Sequence, residues 1–343
     1  MTREAPAAAP RTEAPAARVR VAIAGATGYA GQELVRLLAR HPAVELTMAT
    51  SSAADSEPRP MPALARIWDG AAEPLDVDRL ARQADVVFLA LPEHASAELA
   101  PRLLDLGVRV IDLSGAFRIR DDAERAHWYP ATGALPAGVA YGLPERHAAE
   151  VKTARLVSNP GCYPTAAILA LAPLRDAGLI LDPVVIDAKS GVSGAGKKPS
   201  ERTHFCEAHD SVSAYGVFAH RHGAEIEQGV GHVTFVPHLI PITRGILESI
   251  YAQVPDGVTN EAIAGAYTRA YASAPFVRVT GGALPEIKHV THTNFCDVGW
   301  KLDASRRRLL VVSVIDNLVK GAAGQAVQNL NVLLGLDERT GLL

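Results

Sequence analysis

Cysteine is scarce. Only Cys162, Cys206 and Cys296 occur in 343 residues, far apart and odd in number. Such a set supports neither a disulfide framework nor a CxxC metal site, so we expect no metal and a reducing, cytoplasmic setting. An excess of one charge is lacking as well, with 34 Lys and Arg against 37 Asp and Glu and no dense basic block. That removes the electrostatic footprint expected for nucleic acid or an anionic membrane. No apolar run is long enough to cross a bilayer, and the opening MTREAPAAAPRTEAPAA has mixed charges without the apolar centre of a secretory signal. We read residues 1–17 as a disordered tail.

What is present is apolar material, 48% of the chain, enough for two domains with their own cores. From Arg18 onward, VRVAIAGATGYAGQELVRLLARHP reads as a short strand, a glycine turn and a helix with Leu34, Leu37 and Leu38 at helical spacing. AVELTMATSS, ADVVFLALPEH and VRVIDLSGAFR are further strands, with ASAELAPRLLDLG as a helix between the last two. Strands alternating with helices imply a parallel sheet, hence an α/β chain with a Rossmann-type dinucleotide-binding domain over residues 18–161. Beyond residue 183 strand-like runs dominate (PVVIDAKSG, HVTFVPHL, ILESIYAQV, PFVRVT, LLVVSVI), with TNEAIAGAYTRAYA as a helix. This predicts a mixed α+β catalytic and dimerisation domain over 162–320. The stretch 321–343, containing AGQAVQNLNVLLGL, is expected to form a helix packing back on the first domain.

The turn GATGYAG places Gly25, Gly28 and Gly31 between strand and helix. Glycine suits a tight turn whose backbone must approach a pyrophosphate at a helix N-terminus. Gly25, Thr27, Gly28, Tyr29, Ala30 and Gly31 are therefore candidate cofactor contacts. About 20 residues beyond the glycines an NAD enzyme carries an acid for the ribose hydroxyls. Here Thr50-Ser51-Ser52 stand there, with no acid until Asp55. Hydroxyls at Ser51 and Ser52 suit a 2′-phosphate, so NADP (as NADPH) is the expected cofactor.

In SNPGCYPTAAILAL, Asn-Pro-Gly delivers Cys162 to the start of an apolar helix, with Pro164 tolerated in the first turn. Free amides and the helix dipole there are expected to lower the thiol pKa and to form an oxyanion hole. The competing reading, a buried core residue, fits Cys206 and Cys296 better, because no comparable turn presents them. His220 and His222 flank Arg221 in AHRHGAEIEQ and share one face of an extended segment, although twelve histidines leave room for coincidence. SGVSGAGKKPS is a second Gly/Ser loop, with Ser190, Gly191 and Gly194 as candidate cofactor contacts.

Taken together, GATGYAGQEL, DLSGAFR, YGLPE, SNPGCYPT, SGVSGAGKK, HRHGAEIEQ, PHLIPITRGIL and DNLVKGAAGQAVQNLN, running in order from about Val19 to the C-terminus, resemble the N-acetyl-γ-glutamyl-phosphate reductases of arginine biosynthesis. These share a superfamily with aspartate-semialdehyde dehydrogenase. One departure is Gly223-Ala224 before Glu225, where such reductases commonly carry a Pro. The resemblance implies that Cys162 attacks an acyl phosphate and releases phosphate, leaving a thioester that NADPH reduces to a semialdehyde. It also implies His220 as the acid-base group and His222 as a substrate contact. Ser114 and Arg118 would bind the phosphoryl group, Arg244 a substrate carboxylate, and Pro92 and Asn317 the cofactor. The expected partner is a small-molecule acyl phosphate, in a homo-oligomer, either dimer or tetramer. Reductases of a carrier-linked aminoadipyl or glutamyl phosphate, or of aspartyl phosphate, are the nearest competing readings. A non-catalytic NADP-binding redox sensor is a third. It would leave the thiol and the paired histidines without employment.

Overall fold

The computed structural model describes residues 18–51 and 57–343, so the tail 1–17, Ser52 and Asp55 lie outside the described residues. The first sheet has six strands, all paired in parallel, in the order Val44–Thr50, Val19–Ala24, Val86–Leu89, Arg109–Asp112, Leu156–Ser158, Ala140–Tyr141. Its central strands carry unbroken apolar runs, residues 21–24 and Val86–Leu89, because both faces are covered there. Val21 and Ile23 point into one core and Ala22 and Ala24 into the other, the period-two alternation of a strand. The helix Tyr29–Leu38 covers the first face and Glu93–Asp105 the second.

The second sheet is mixed and seven-stranded, in the order Ser213–Ala214, Thr234–Ile240, Leu181–Gly191, Ile246–Gln253, Arg308–Ile315, Cys296–Asp303, Val277–Gly281. Across one face lies the helix Cys162–Asp176, with twelve of its fifteen residues buried, as a core helix rather than a surface one. The helix Asn260–Tyr271 holds it from the side: Tyr267 and Tyr271 donate their hydroxyls to the carbonyls of Ala170 and Leu169 at 2.7 and 2.6 Å. The nucleophile candidate thus starts a helix anchored along its length.

After the second sheet the chain makes a π-turn, Val319–Ala323, and continues as the helix Gly324–Leu334. Val327, Leu330 and Leu333 enter the core that contains Val21, Ile23 and Leu34 of the first sheet's layer. At roughly 1.5–3 kcal/mol per buried side chain, this packing outweighs the fraying expected near a chain end. Both parts of the chain therefore meet at the carboxyl ends of the first sheet's strands, where ligands of open α/β sheets bind.

Candidate active site

At the end of the strand Val19–Ala24 the glycine turn has strict steric demands. Gly25 has φ +92°, and a Cβ there would run into the Ala90 carbonyl. A Cβ on Gly31 would strike the Gly25 carbonyl, whereas one on Gly28 would meet that carbonyl only in ordinary contact at 3.7 Å. Gly28 is also the N-cap of the helix Tyr29–Leu38, and no side chain caps it. The first-turn amides are thus left for an anion, and the cradle fits a dinucleotide pyrophosphate. Thr50, at the end of the second strand, accepts from the N–H groups of Gly25 and Ala26 at 3.0 and 2.8 Å, which brings the following Ser51 close to this turn.

Gly28, Tyr29, Ala30, Gly31 and Pro92 line one end of a cleft of about 350 Å3, and Cys162 lies on the same cleft with Ser114, Arg118, His222, Gly194 and Asn317. Gly25, Thr27, Ser51, Ser190 and Gly191 do not line it. Ser190 spends its hydroxyl on the Gly191 carbonyl at 3.0 Å, and a Cβ on Gly191 would press on the backbone of residues 242–244.

The strand Leu156–Ser158 ends in Asn159-Pro160-Gly161, and Cys162 is the first residue of its helix, capped by Gly161. Only glycine fits at 161: a Cβ would lie 2.6 Å from His222 Nε2 and 2.8 Å from Arg118 Nη1. On the other side, a Cβ on Gly321 would lie 2.7 Å from Cys162 Cβ. The π-turn therefore packs against Cys162, and His222 and Arg118 pack against the residue before it.

Its electrostatics differ from the sequence expectation. Burial pushes the Cys162 thiol up to about 11, while the Tyr163 N–H and the Arg118 guanidinium pull the other way. The helix amide acts in the expected sense, but desolvation of the charged form is larger. Burial likewise lowers His220 to about 4, helped by the neighbouring Arg221. It drives His222 well below its ordinary value, followed by the charges of His220, Arg118 and Arg221. At neutral pH the three groups rest as a thiol and two neutral imidazoles.

The two histidines are placed differently. His222 lines the cleft, with Nε2 3.4 Å from Arg118 Nη1 and a buried Nδ1 without a hydrogen-bond partner. His220 stands behind it, its ring centre 4.8 Å from that of His222. His220 caps the helix Arg221–Val230, its Nδ1 accepting from the His222 N–H at 3.1 Å. That bond leaves the neutral ring's proton on Nε2.

Arg118, Ser114 and Arg244 are more committed than the sequence suggested. Arg118 donates to the carbonyls of Asn159 and Leu113 at 2.8 and 2.7 Å and to Glu225 at 3.3 Å. Ser114 donates its hydroxyl to the buried Asp112 at 2.6 Å and accepts from the Ala116 N–H. Arg244 pairs with Glu33 at 2.6 Å and faces Asp316 at 3.6 Å, away from the cleft lining. Its guanidinium links the glycine-turn helix to the second domain. Asn317 accepts from the Gly245 N–H at 2.7 Å and donates to Ser193 Oγ at 2.9 Å.

Sequence reasoning passed over Glu225 and Asn159. Glu225 is fully buried and accepts from the Gly161 N–H, the Tyr141 hydroxyl and Arg118. Asn159 is buried too, donating to the Ala322 carbonyl at 3.2 Å and accepting from Asn329 at 3.0 Å, which ties the cysteine turn to the last helix. A glutamate three residues past HRH was the one signal available for the first. Cys296 is buried beside Ser313 and Cys206 is exposed; neither lines the cleft. Among the described residues no group of acidic, histidine or cysteine side chains is arranged to hold a metal, and no helix is long and apolar enough to cross a membrane.

Two family models match the chain: the semialdehyde dehydrogenase NAD binding domain over residues 20–154, and the semialdehyde dehydrogenase dimerisation domain over 162–317. N-acetyl-gamma-glutamyl-phosphate reductase from Syntrophobacter fumaroxidans is 48% identical over 337 residues, covering 94% of this chain and 98% of that protein. The Bacillus subtilis enzyme of the same name is 43% identical over 338 residues, with the same coverage of 94% and 98%. Among solved structures, aspartate semialdehyde dehydrogenase II from Vibrio cholerae superposes with a TM-score of 0.70 at 19% identity, covering 93% of this chain and 99% of that one. Aspartate semialdehyde dehydrogenase with NADP from Candida albicans gives 0.68 at 15% identity, with coverage of 92% and 98%. At such identities the structures speak for the fold.

Proposed function

The chain belongs to the N-acetyl-gamma-glutamyl-phosphate reductase family, and we propose that it reduces N-acetyl-L-glutamyl 5-phosphate to N-acetyl-L-glutamate 5-semialdehyde with release of phosphate, in arginine biosynthesis. The observation that carries this reading is the packing of His222 and Arg118 against Gly161, next to Cys162, in a cleft whose far end is the glycine turn.

Cys162 attacks the acyl carbon, its proton passing to a neutral imidazole as the C–S bond forms and the C–O bond to phosphate breaks. A thiol held protonated by burial needs such a base. We assign that base to His222 rather than His220. What supports the exchange is that His222 lines the cleft that Cys162 also lines, whereas His220 does not. The Tyr163 N–H at the helix start bonds the Cys162 sulfur and favours its anionic form as the thiol loses its proton. NADPH, when bound on the glycine turn, supplies the hydride that reduces the thioester carbonyl. His222, now protonated, returns its proton to the departing sulfur, and the semialdehyde leaves. Arg118, fixed by Glu225 and two carbonyls, keeps positive charge beside the thioester.

The same reading makes the enzyme cytoplasmic and a homodimer or homotetramer. Assembly is supported by the family model's description of the second part as a dimerisation domain and by Tyr251, exposed on the sheet face turned away from the nucleophile helix.

A substrate panel in the oxidative direction tests the reaction. With NADP and phosphate, N-acetylglutamate semialdehyde should give phosphate-dependent NADPH formation and aspartate semialdehyde should not. Turnover with aspartate semialdehyde alone, or with neither, would overturn the assignment.

A further inference from the structure

After the strand Leu181–Gly191 the chain makes a short helical turn, Val192–Ala195, passes Gly196 at φ +84° and reaches Lys197. This loop belongs to the second domain, yet Lys197 extends across the cleft and donates from Nζ to the carbonyl of Thr27 at 3.2 Å. Thr27 sits inside the glycine turn, one residue before the uncapped N-cap Gly28.

Three cationic side chains line this cleft, and two of them are neutralised. Arg118 is paired with the buried Glu225 at 3.3 Å, and Arg221 with Glu93 at 3.3 Å. Among the described residues no carboxylate lies within ion-pair distance of Lys197, and its one hydrogen bond goes to a neutral carbonyl. An ammonium left without a counter-charge, beside helix amides left without a cap, presents two kinds of donor to one region. A dianionic diphosphate answers both.

We propose that Lys197, supplied by the second domain, pairs with the pyrophosphate of the dinucleotide seated on the glycine turn, so that cofactor binding ties the two domains together across the cleft. This inference rests on the cofactor reading above. The alternative anion, the acyl phosphate of the substrate, belongs at Cys162, whereas the Lys197 contact is at the glycine turn.

Binding measured by NADPH fluorescence, without turnover, is the test. Lys197→Gln should weaken NADPH by roughly tenfold or more, the size expected for a lost charge-assisted bond, and Lys197→Arg should restore most of it. Affinity for 2′-AMP, which carries the 2′-phosphate but no pyrophosphate, should not change, and Lys198→Gln should behave as the unaltered chain. Unchanged NADPH affinity in Lys197→Gln would overturn the proposal, and so would an equal loss for 2′-AMP. A raised KM for inorganic phosphate in the oxidative reaction, with NADPH binding intact, would move the lysine to the substrate's phosphoryl group and also overturn it. A wild-type chain that binds NADPH but shows no phosphate-dependent turnover would contradict the proposed reaction while leaving this inference standing.

Discussion

The carboxylate of Glu225 accepts a hydrogen bond from the Gly161 N–H at 2.9 Å, immediately before the nucleophile, and its other oxygen holds Arg118 at 3.3 Å. One buried acid therefore sets both the turn that presents Cys162 and the cation beside it. Glu225→Gln keeps the shape and removes the charge. It leaves the buried Arg118 unpaired, a change that costs about 3–5 kcal/mol when a buried pair is broken. It also removes a negative charge that raises the Cys162 pKa while Arg118 remains to lower it. We expect a lower melting temperature together with a thiol that ionises below about 11. Thiolate absorbance at 240 nm, referenced to Cys162→Ser, measures the second effect; an unchanged midpoint would remove Glu225 from the electrostatics of the site.

The two histidines separate by kinetics. His222→Asn should lower kcat by roughly 10²–10⁴-fold, as for a lost acid-base group. His220→Asn should be mild, because Asn is itself a good N-cap and replaces the bond to the His222 N–H. If His220→Asn proves the more damaging, the role first expected for it from the sequence must be restored.

Stability should fall on both sides of neutrality. His220 and His222 are held neutral in the folded chain, so the unfolded chain binds more protons below the ordinary histidine value near 6.5. Their contribution is complete above that pH and is lost as the pH falls toward about 4, the folded value of His220. Cys162 behaves oppositely. The folded thiol keeps its proton up to about 11 while the unfolded one loses it near 8.5, so stability drops across that interval. Thermal melts against pH should show an acid limb flattened by His222→Asn and an alkaline limb flattened by Cys162→Ser. Limbs unaffected by these substitutions would place the titrating groups elsewhere.

The parallel sheet was legible because its strands alternate with helices and the central ones carry unbroken apolar runs, as in residues 21–24 and Val86–Leu89. The glycine turn was legible because backbone sterics at Gly25 and Gly31 leave few residue choices, whereas the side chains that crowd Gly161 come from His222 and Arg118, distant in sequence. The strand Cys296–Asp303 was not read, since Gly299 in its middle resembles a break; the strand is central enough to pair on both sides. The lowered thiol pKa was inferred from local features alone, and the burial that overrides them comes from packing against the π-turn and the second domain. The resemblance implies Arg244 as a substrate contact, and its pairing with Glu33, 211 residues away in sequence, leaves no local signal. Glu225 was missed for the same reason: it meets Gly161 across 64 residues.

If Cys162 carries the acyl group, a single incubation with N-acetyl-L-glutamyl 5-phosphate in the absence of NADPH should trap it. We expect a burst of about one phosphate per active site and an N-acetylglutamyl adduct that intact-mass and peptide mass spectrometry place on Cys162. Cys162→Ser should give neither. Phosphate release that requires NADPH, or an adduct on Cys206 or Cys296, would contradict this role for Cys162.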